Sequence, residues 1–333
     1  MRSRRDALFC AAGVTGFALL CWRFGWHDLG QAIGHVRPAF LCAYVGVGLA
    51  AVLGWCWRWR LIVAALAAPP PLSRLLAARL AGDAVGAVVP SARLAGEPVR
   101  MAALQANGLD GPRATAAVAI DRALEAIGNM LCGITYTSVF VATHAAPRAD
   151  ATAFLGALVL LLGALVLFLE MLRRGASPFA PLYSPVLQRA IPRLTAWTAG
   201  LRAVEEHLTV FMQAHWRTFL GGLLMSLAIE AAFILELRLL LGGFGIALPL
   251  PTLLMVIVGT GIARAAPSPA GIGALEATQV GVLMLAGGGS GLGFVVGVVM
   301  RLHETLWTAT GLCALALLGI ASRRLPVARR LAA

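Results

Sequence analysis

The feature that most constrains this chain is a succession of apolar runs, each about 17 to 30 residues long, the length a helix needs to cross ~30 Å of hydrocarbon. None of them alternates polar and apolar residues, so a transmembrane barrel is excluded. Only 13% of the residues are charged and the mean hydropathy is +0.84, values foreign to a soluble domain. The expected fold is an all-α polytopic membrane protein, one integral membrane domain over residues 1–333 with about six full spans. These read as Ala7 to Trp26, Pro38 to Trp57, Arg113 to Val141, Ala151 to Leu169, Thr218 to Leu241 and Gly291 to Ile320. Arg2, Arg4 and Arg5 resemble the start of a signal peptide, but Ala7 to Trp22 leads to no small-residue cleavage site, so the first run is read as an uncleaved span.

Two further segments break the pattern. Leu61 to Ala68 is too short to cross, Pro69, Pro70 and Pro71 stop a helix, and Leu72, Leu75, Leu76 and Leu80 then recur at helical spacing until Gly82, Gly86 and Pro90 turn the chain. Pro98 suits the first turn of a new helix, so residues 72–107 read as a re-entrant helical hairpin. Residues 252–286 read as a second, broken at Arg264 and Pro267-Ser268-Pro269 and reopened by Gly271 to Glu276. Three spans separate the two hairpins, an odd number, so they enter from opposite faces. That is the outline of an inverted repeat, in which broken helices meet near the midplane around a substrate site.

The net charge of +12 is carried by arginine, because the chain contains no lysine. Arginines gather at the N-terminus, at Arg58 and Arg60, from Arg173 to Arg217, and from Arg323 to Arg330. The positive-inside rule makes all four groups cytoplasmic, both termini included, in a bacterial inner membrane; the charge follows the membrane and implies no nucleic acid. Trp55, Trp57 and Trp59, interleaved with Arg58 and Arg60, read as an aromatic belt with snorkelling arginines at the inner interface. In the cytoplasmic loop 178–215, Pro178, Pro181, Pro185 and Pro192 argue against regular structure. Beyond them Leu194, Trp197, Leu201, Val204, Leu208 and Phe211 mark the stripe of an amphipathic helix, with Arg193, Arg202, Glu205, Glu206 and His207 off it. The six cysteines lie in apolar runs at no metal-ligand spacing, so no disulfide, metal or cofactor is expected.

Ionisable groups in apolar surroundings are costly and mark functional sites. Arg93, Glu97 and Arg100 surround the start of a half-helix, where free N–H groups and the helix dipole favour an anion and guanidinium matches phosphate bidentately. An alternative is that Glu97 only neutralises two arginines at the membrane surface. Arg122 and Glu125 are spaced to pair, Asp121 and Glu125 share a face and repel, and Arg301 and Glu304 repeat the pair in the last span; a structural clamp accounts for these equally well. Glu230 and Glu276 have no basic neighbour in sequence, so each either finds an arginine from another helix, such as Arg264 or Arg301, or carries protons. All ten residues are candidate substrate-binding groups. No GxSxG, HExxH or P-loop motif occurs, and no polar stretch exceeds about 45 residues, too short for a soluble catalytic domain.

The run Val89-Pro90-Ser91-Ala92-Arg93-Leu94-Ala95-Gly96-Glu97-Pro98-Val99-Arg100, followed by Ala116 to Glu125, resembles the signature of the lysylphosphatidylglycerol synthase transmembrane, flippase-like family. Pro267 to Glu276 and Arg301-Leu302-His303-Glu304 are similar to later motifs of that family, in the same order, and the resemblance covers roughly Trp55 to Gly311. A hopanoid-associated subgroup is similar through Trp57-Arg58-Trp59-Arg60-Leu61 and the Arg301 to Glu304 pair. In detail the chain departs from the family: Ala92-Arg93 and Glu97-Pro98 differ from its commonest wording. The resemblance implies a lipid-translocating domain. The soluble aminoacyl-transferase domain of fused relatives has no counterpart in these residues, so lysyl transfer is not expected. The function this implies is a lipid flippase or transporter, not an enzyme, whose partner is a membrane lipid, phospholipid or hopanoid-like, and in some settings lipid-modifying enzymes. The alternatives are a membrane-embedded enzyme acting on a headgroup and a scaffold for such enzymes.

Overall fold

The computed structural model describes residues 37–89, 91, 93–144, 148–191, 195–265 and 273–319. The expected first span, Pro90, the break at Pro267 to Pro269 and the last arginines lie outside the described residues. The described chain is all-helical: α1 Pro38–Leu66, α2 Leu72–Val88, α3 Glu97–Ala106, α4 Gly111–Thr143, α5 Arg148–Arg173, α6 Pro185–Ala190, α7 Thr195–Ala214, α8 Trp216–Gly243, α9 Leu250–Ala265, α10 Ala274–Leu285 and α11 Ser290–Leu317. Four helices are long and apolar enough to cross a membrane: α1, α4, α5 from Asp150, and α8. Helix α11 reaches about 42 Å at 1.5 Å per residue, the length of a span, and carries Arg301, His303 and Glu304 at its middle.

Both broken segments form hairpins of two short helices. The first depends on glycine: a Cβ at Gly96 would stand 2.1 Å from the Gly82 carbonyl oxygen, so α2 and the turn before α3 touch backbone to backbone. Arg93 sits at the tip of that hairpin with a left-handed backbone, φ 66°. Helix α4 starts at Asp110, whose side chain accepts from the Arg113 N–H at 2.8 Å. Helix α10 starts at Gly273, whose N–H donates to the Glu276 carboxylate at 3.0 Å.

Helices α1–α4 and α8–α11 are two copies of one plan. A shift of 179 residues carries Glu97 onto Glu276, Gly111 onto Ser290, Arg122 onto Arg301 and Glu125 onto Glu304. It also carries Gly108 onto Gly287, both at positive φ. The packing follows the copies: α1 lies against α8, α2 against α11 as α9 against α4, and α3 against α4 as α10 against α11. Along the α1–α8 contact Leu41 meets Gly243, Gly48 meets Glu236 and Gly54 meets Ile229, so the two equivalent helices run antiparallel, as an inverted repeat requires. Each copy has its own apolar core. One holds Trp59, Ile62, Leu75, Leu104, Ile120 and Leu124, the other Leu237, Leu253, Val256, Val282, Val296 and Val299.

The loop 178–215 is more ordered than its prolines predict. Pro181 and Pro185 open a 3-10 turn, Ala180–Tyr183, and the short helix α6, at first-turn positions where proline is tolerated. Helix α7 packs on α4 and α5 and buries Leu208, Phe211 and also Glu205, a residue off the expected apolar stripe. That carboxylate accepts from Ser177 Oγ at 2.7 Å, the Phe179 N–H at 3.1 Å and the Tyr183 hydroxyl at 2.7 Å, so it ties the loop to the bundle. Burial and Glu205 push the Tyr183 hydroxyl up to about 12, which keeps it a donor. Trp197, expected on the stripe, is 76% exposed, and Leu194 lies outside the described residues. The aromatic belt also divides. Trp57 and Arg60 stack at 5.5 Å with Trp57 exposed, whereas Arg58 and Trp59 are buried in the bundle.

Candidate functional site

Between the two cores lies a cavity of about 680 Å³, the volume of a small-molecule site. Trp55, Tyr136, Phe154, Phe233 and Trp307 supply apolar walls, and its charged lining consists of Arg79, Asp83, Arg93, Glu125, Glu230, Glu236, Arg264 and Glu304. Helix α5, whose outer flank exposes Val159, Leu160 and Leu167, lends Phe154 and Leu158 to the wall. The cavity therefore borders a helix that faces lipid.

Glu304 of α11 is the meeting point of the two hairpins. One carboxylate oxygen takes Arg93, from the tip of the first, at 2.7 Å. The other takes Arg264, from the end of α9 in the second, with Nε at 2.7 Å. Two guanidinium groups share one carboxylate where the tips converge, and both arginines are about 30% exposed. A guanidinium group matches phosphate oxygens bidentately, so both arginines are candidate phosphate donors.

Behind the first hairpin four carboxylates and four arginines form a charge-balanced lattice. Asp121, 1% exposed, binds Arg58 Nη2 and Arg79 Nη1, each at 2.8 Å. Glu125 binds Arg79 and Arg122 at 3.1 Å each, and Asp83 binds Arg79 at 3.0 Å and Arg100. Glu97 lies 3.3 Å from Arg122 and 3.5 Å from Arg100. Arg58 also donates to Ser226 Oγ of α8 at 2.8 Å, joining the copies. The expected repulsion between Asp121 and Glu125 is thus answered by arginines from α1 and α2.

The second copy repeats only part of this. Glu276, fully buried, grips Arg301 at 2.9 and 3.0 Å, the counterpart of Glu97 with Arg122. Where the first copy has Arg100, the second has Gln279, which donates to the Val256 carbonyl at 3.2 Å and Thr260 Oγ1 at 3.0 Å.

Of the ten residues singled out from the sequence, Arg93, Glu125, Glu230 and Glu304 line the cavity. Glu97, Arg100, Asp121, Arg122, Glu276 and Arg301 stand behind its wall in the lattice and the Glu276 clamp. Glu276 has found Arg301, while Glu230 has no basic group within ion-pair distance among the described residues. Arg58, Arg79 and Glu236 were missed as site residues. Arg58 and Arg79 carried a signal, since an arginine inside an apolar helix must meet an acid.

A family model described as the lysylphosphatidylglycerol synthase TM region matches residues 7–320, nearly the whole chain. The chain belongs to this family. Its match includes both hairpins and both Arg-x-x-Glu pairs, so the charged centre belongs to the lysylphosphatidylglycerol synthase transmembrane region itself. No curated protein matches the chain.

Proposed function

We propose that the protein is a lipid transporter of the inner membrane, which passes a headgroup through the central cavity while the tails stay in the bilayer. The observation that carries this reading is the shared carboxylate. Arg93 and Arg264 reach Glu304 from opposite hairpins, so a phosphate that binds either arginine competes with Glu304 and loosens the joint between the copies. Rocking of one copy against the other then opens the cavity to alternate leaflets. Phe154 and Leu158 of α5 offer the tails an apolar flank beside the headgroup. The lattice around Asp121 and the Glu276 clamp act as scaffold. No group transfer is part of this reading, which makes the protein a carrier and not an enzyme. The arginine-rich loop from Arg173 to Arg217 faces the cytoplasm in this scheme.

The test is transbilayer movement of fluorescent anionic, zwitterionic and hopanoid-like lipids in proteoliposomes. Movement by the wild type that falls at least about tenfold in Arg93→Ala and in Arg264→Ala, with detergent melting unchanged, supports the reading; tenfold is the loss of about 1.4 kcal/mol of binding, the scale of one charged contact. Folded wild-type protein that moves none of these lipids overturns it. Modified lipid made by the pure protein in detergent would assign an enzyme instead.

A further inference from the structure

Glu236, on α8, is 4% exposed and stands at the cavity wall, and its Oε1 has no hydrogen-bond partner among the described residues. It occupies space left by Gly48 of α1, where a Cβ would fall 2.6 Å from that same oxygen, with Trp307 alongside. His303 of α11, 7% exposed, places Nδ1 3.8 Å from the free oxygen. The same Nδ1 is 2.8 Å from the Tyr44 hydroxyl of α1. Three helices thus bring a carboxyl, an imidazole and a phenol together in a nearly dry corner. The charged groups that face this corner are Arg264 from α9, Arg93 from the tip of the first hairpin, Glu304 beside His303 on α11, and Glu230 six residues earlier on α8, with Glu125 of α4 across the cavity. Arg264 is held by Glu304, so Glu230 and Glu236 are two cavity carboxylates without a guanidinium of their own.

A buried carboxyl without a cation is accommodated by a proton. We infer that Glu236, His303 and Tyr44 form a proton-binding site that couples lipid movement to a proton gradient, with Glu230 passing the proton between this corner and the cavity. The inference rests on the transport reading above. Its physical basis is charge. A phosphate held at Arg93 and Arg264 adds negative charge beside Glu236 and Glu230 and draws Arg264 away from them, which favours their protonated forms. By reciprocity the bound proton favours the phosphate. Proton and lipid then cross together: the proton leaves water on the acidic side, rides on the Glu236–His303 pair, and returns to water on the alkaline side.

The experiment is lipid distribution in proteoliposomes with equal pH on both sides and with an imposed gradient. One proton per lipid predicts that a gradient of one pH unit enriches the lipid about tenfold in the leaflet facing the alkaline compartment. In Glu236→Gln the gradient leaves the distribution even. Should that variant lose all movement, Tyr44→Phe decides, because it keeps every charge and removes only the hydroxyl on His303; it should shift the pH midpoint of gradient-driven enrichment, and an unchanged profile overturns the assignment. Lipid that moves in the wild type with an even distribution at every gradient overturns proton coupling and leaves transport standing. No movement under either condition overturns the transport reading and this inference with it. Gradient-driven enrichment in Glu236→Gln equal to wild type removes the site from Glu236.

Discussion

Asp121 receives both Arg58 and Arg79 with 1% of its side chain exposed, so its value lies in what its loss would strand. Asp121→Ala leaves two guanidinium groups in the bundle with too little negative charge, and breaking a buried pair in this way costs about 3–5 kcal/mol. The expected outcome is a large fall in the melting temperature in detergent. Arg58→Met with Asp121→Leu, which removes both charges, should recover part of it. Glu304→Gln behaves differently. Its arginines are about 30% exposed and keep partial access to water, so the protein should melt within a few degrees of wild type and show its defect in lipid movement.

At the level of elements, the two hairpins share a plan and differ in what locks them. The first is held by the lattice of Arg58, Arg79, Arg100 and their carboxylates, and by the Gly82–Gly96 crossing. The second has the Glu276–Arg301 clamp, the Gln279 hydrogen bonds and the Arg264–Glu304 contact at its tip. Neutral hydrogen bonds are weaker than charge-assisted ones, so α9 and α10 form the more readily moved hairpin. Hydrogen exchange should proceed faster over residues 250–285 than over 72–106, and equal protection of the two would remove that asymmetry. Gly96→Ala tests the first hairpin directly. Its new Cβ meets the Gly82 carbonyl oxygen at 2.1 Å, and overpacking of this kind costs about 1–3 kcal/mol, read as a lower melting temperature.

For the whole molecule, inversion of the repeat makes a topological prediction. Inversion puts the C-terminal end of α3 and the turn after α10 on opposite faces, so on a cysteine-free background Gln105→Cys should react with an impermeant thiol reagent from one side and Gly289→Cys from the other. Labelling of both from one side would end the inverted arrangement. The sequence by itself determined the four spans formed by α1, α4, α5 and α8, the two hairpins and the recurrence of a glutamate followed by an Arg-x-x-Glu pair, because hydropathy, proline stops and glycine turns act over a few residues. It also carried enough pattern to point to the family. Tertiary structure alone decided which acid meets which base. Arg58 reads as part of an interfacial belt until the packing of α1 on α8 turns it inward, toward Asp121, 63 residues away. Glu304 meets Arg93 across 211 residues, while Glu276 and Glu230, indistinguishable in sequence, separate into a clamped and an unclamped carboxylate. The physical reason is that a charge in a low-dielectric interior must be answered across helices, and the rotation of each helix about its axis, fixed by packing of the whole bundle, selects the partner.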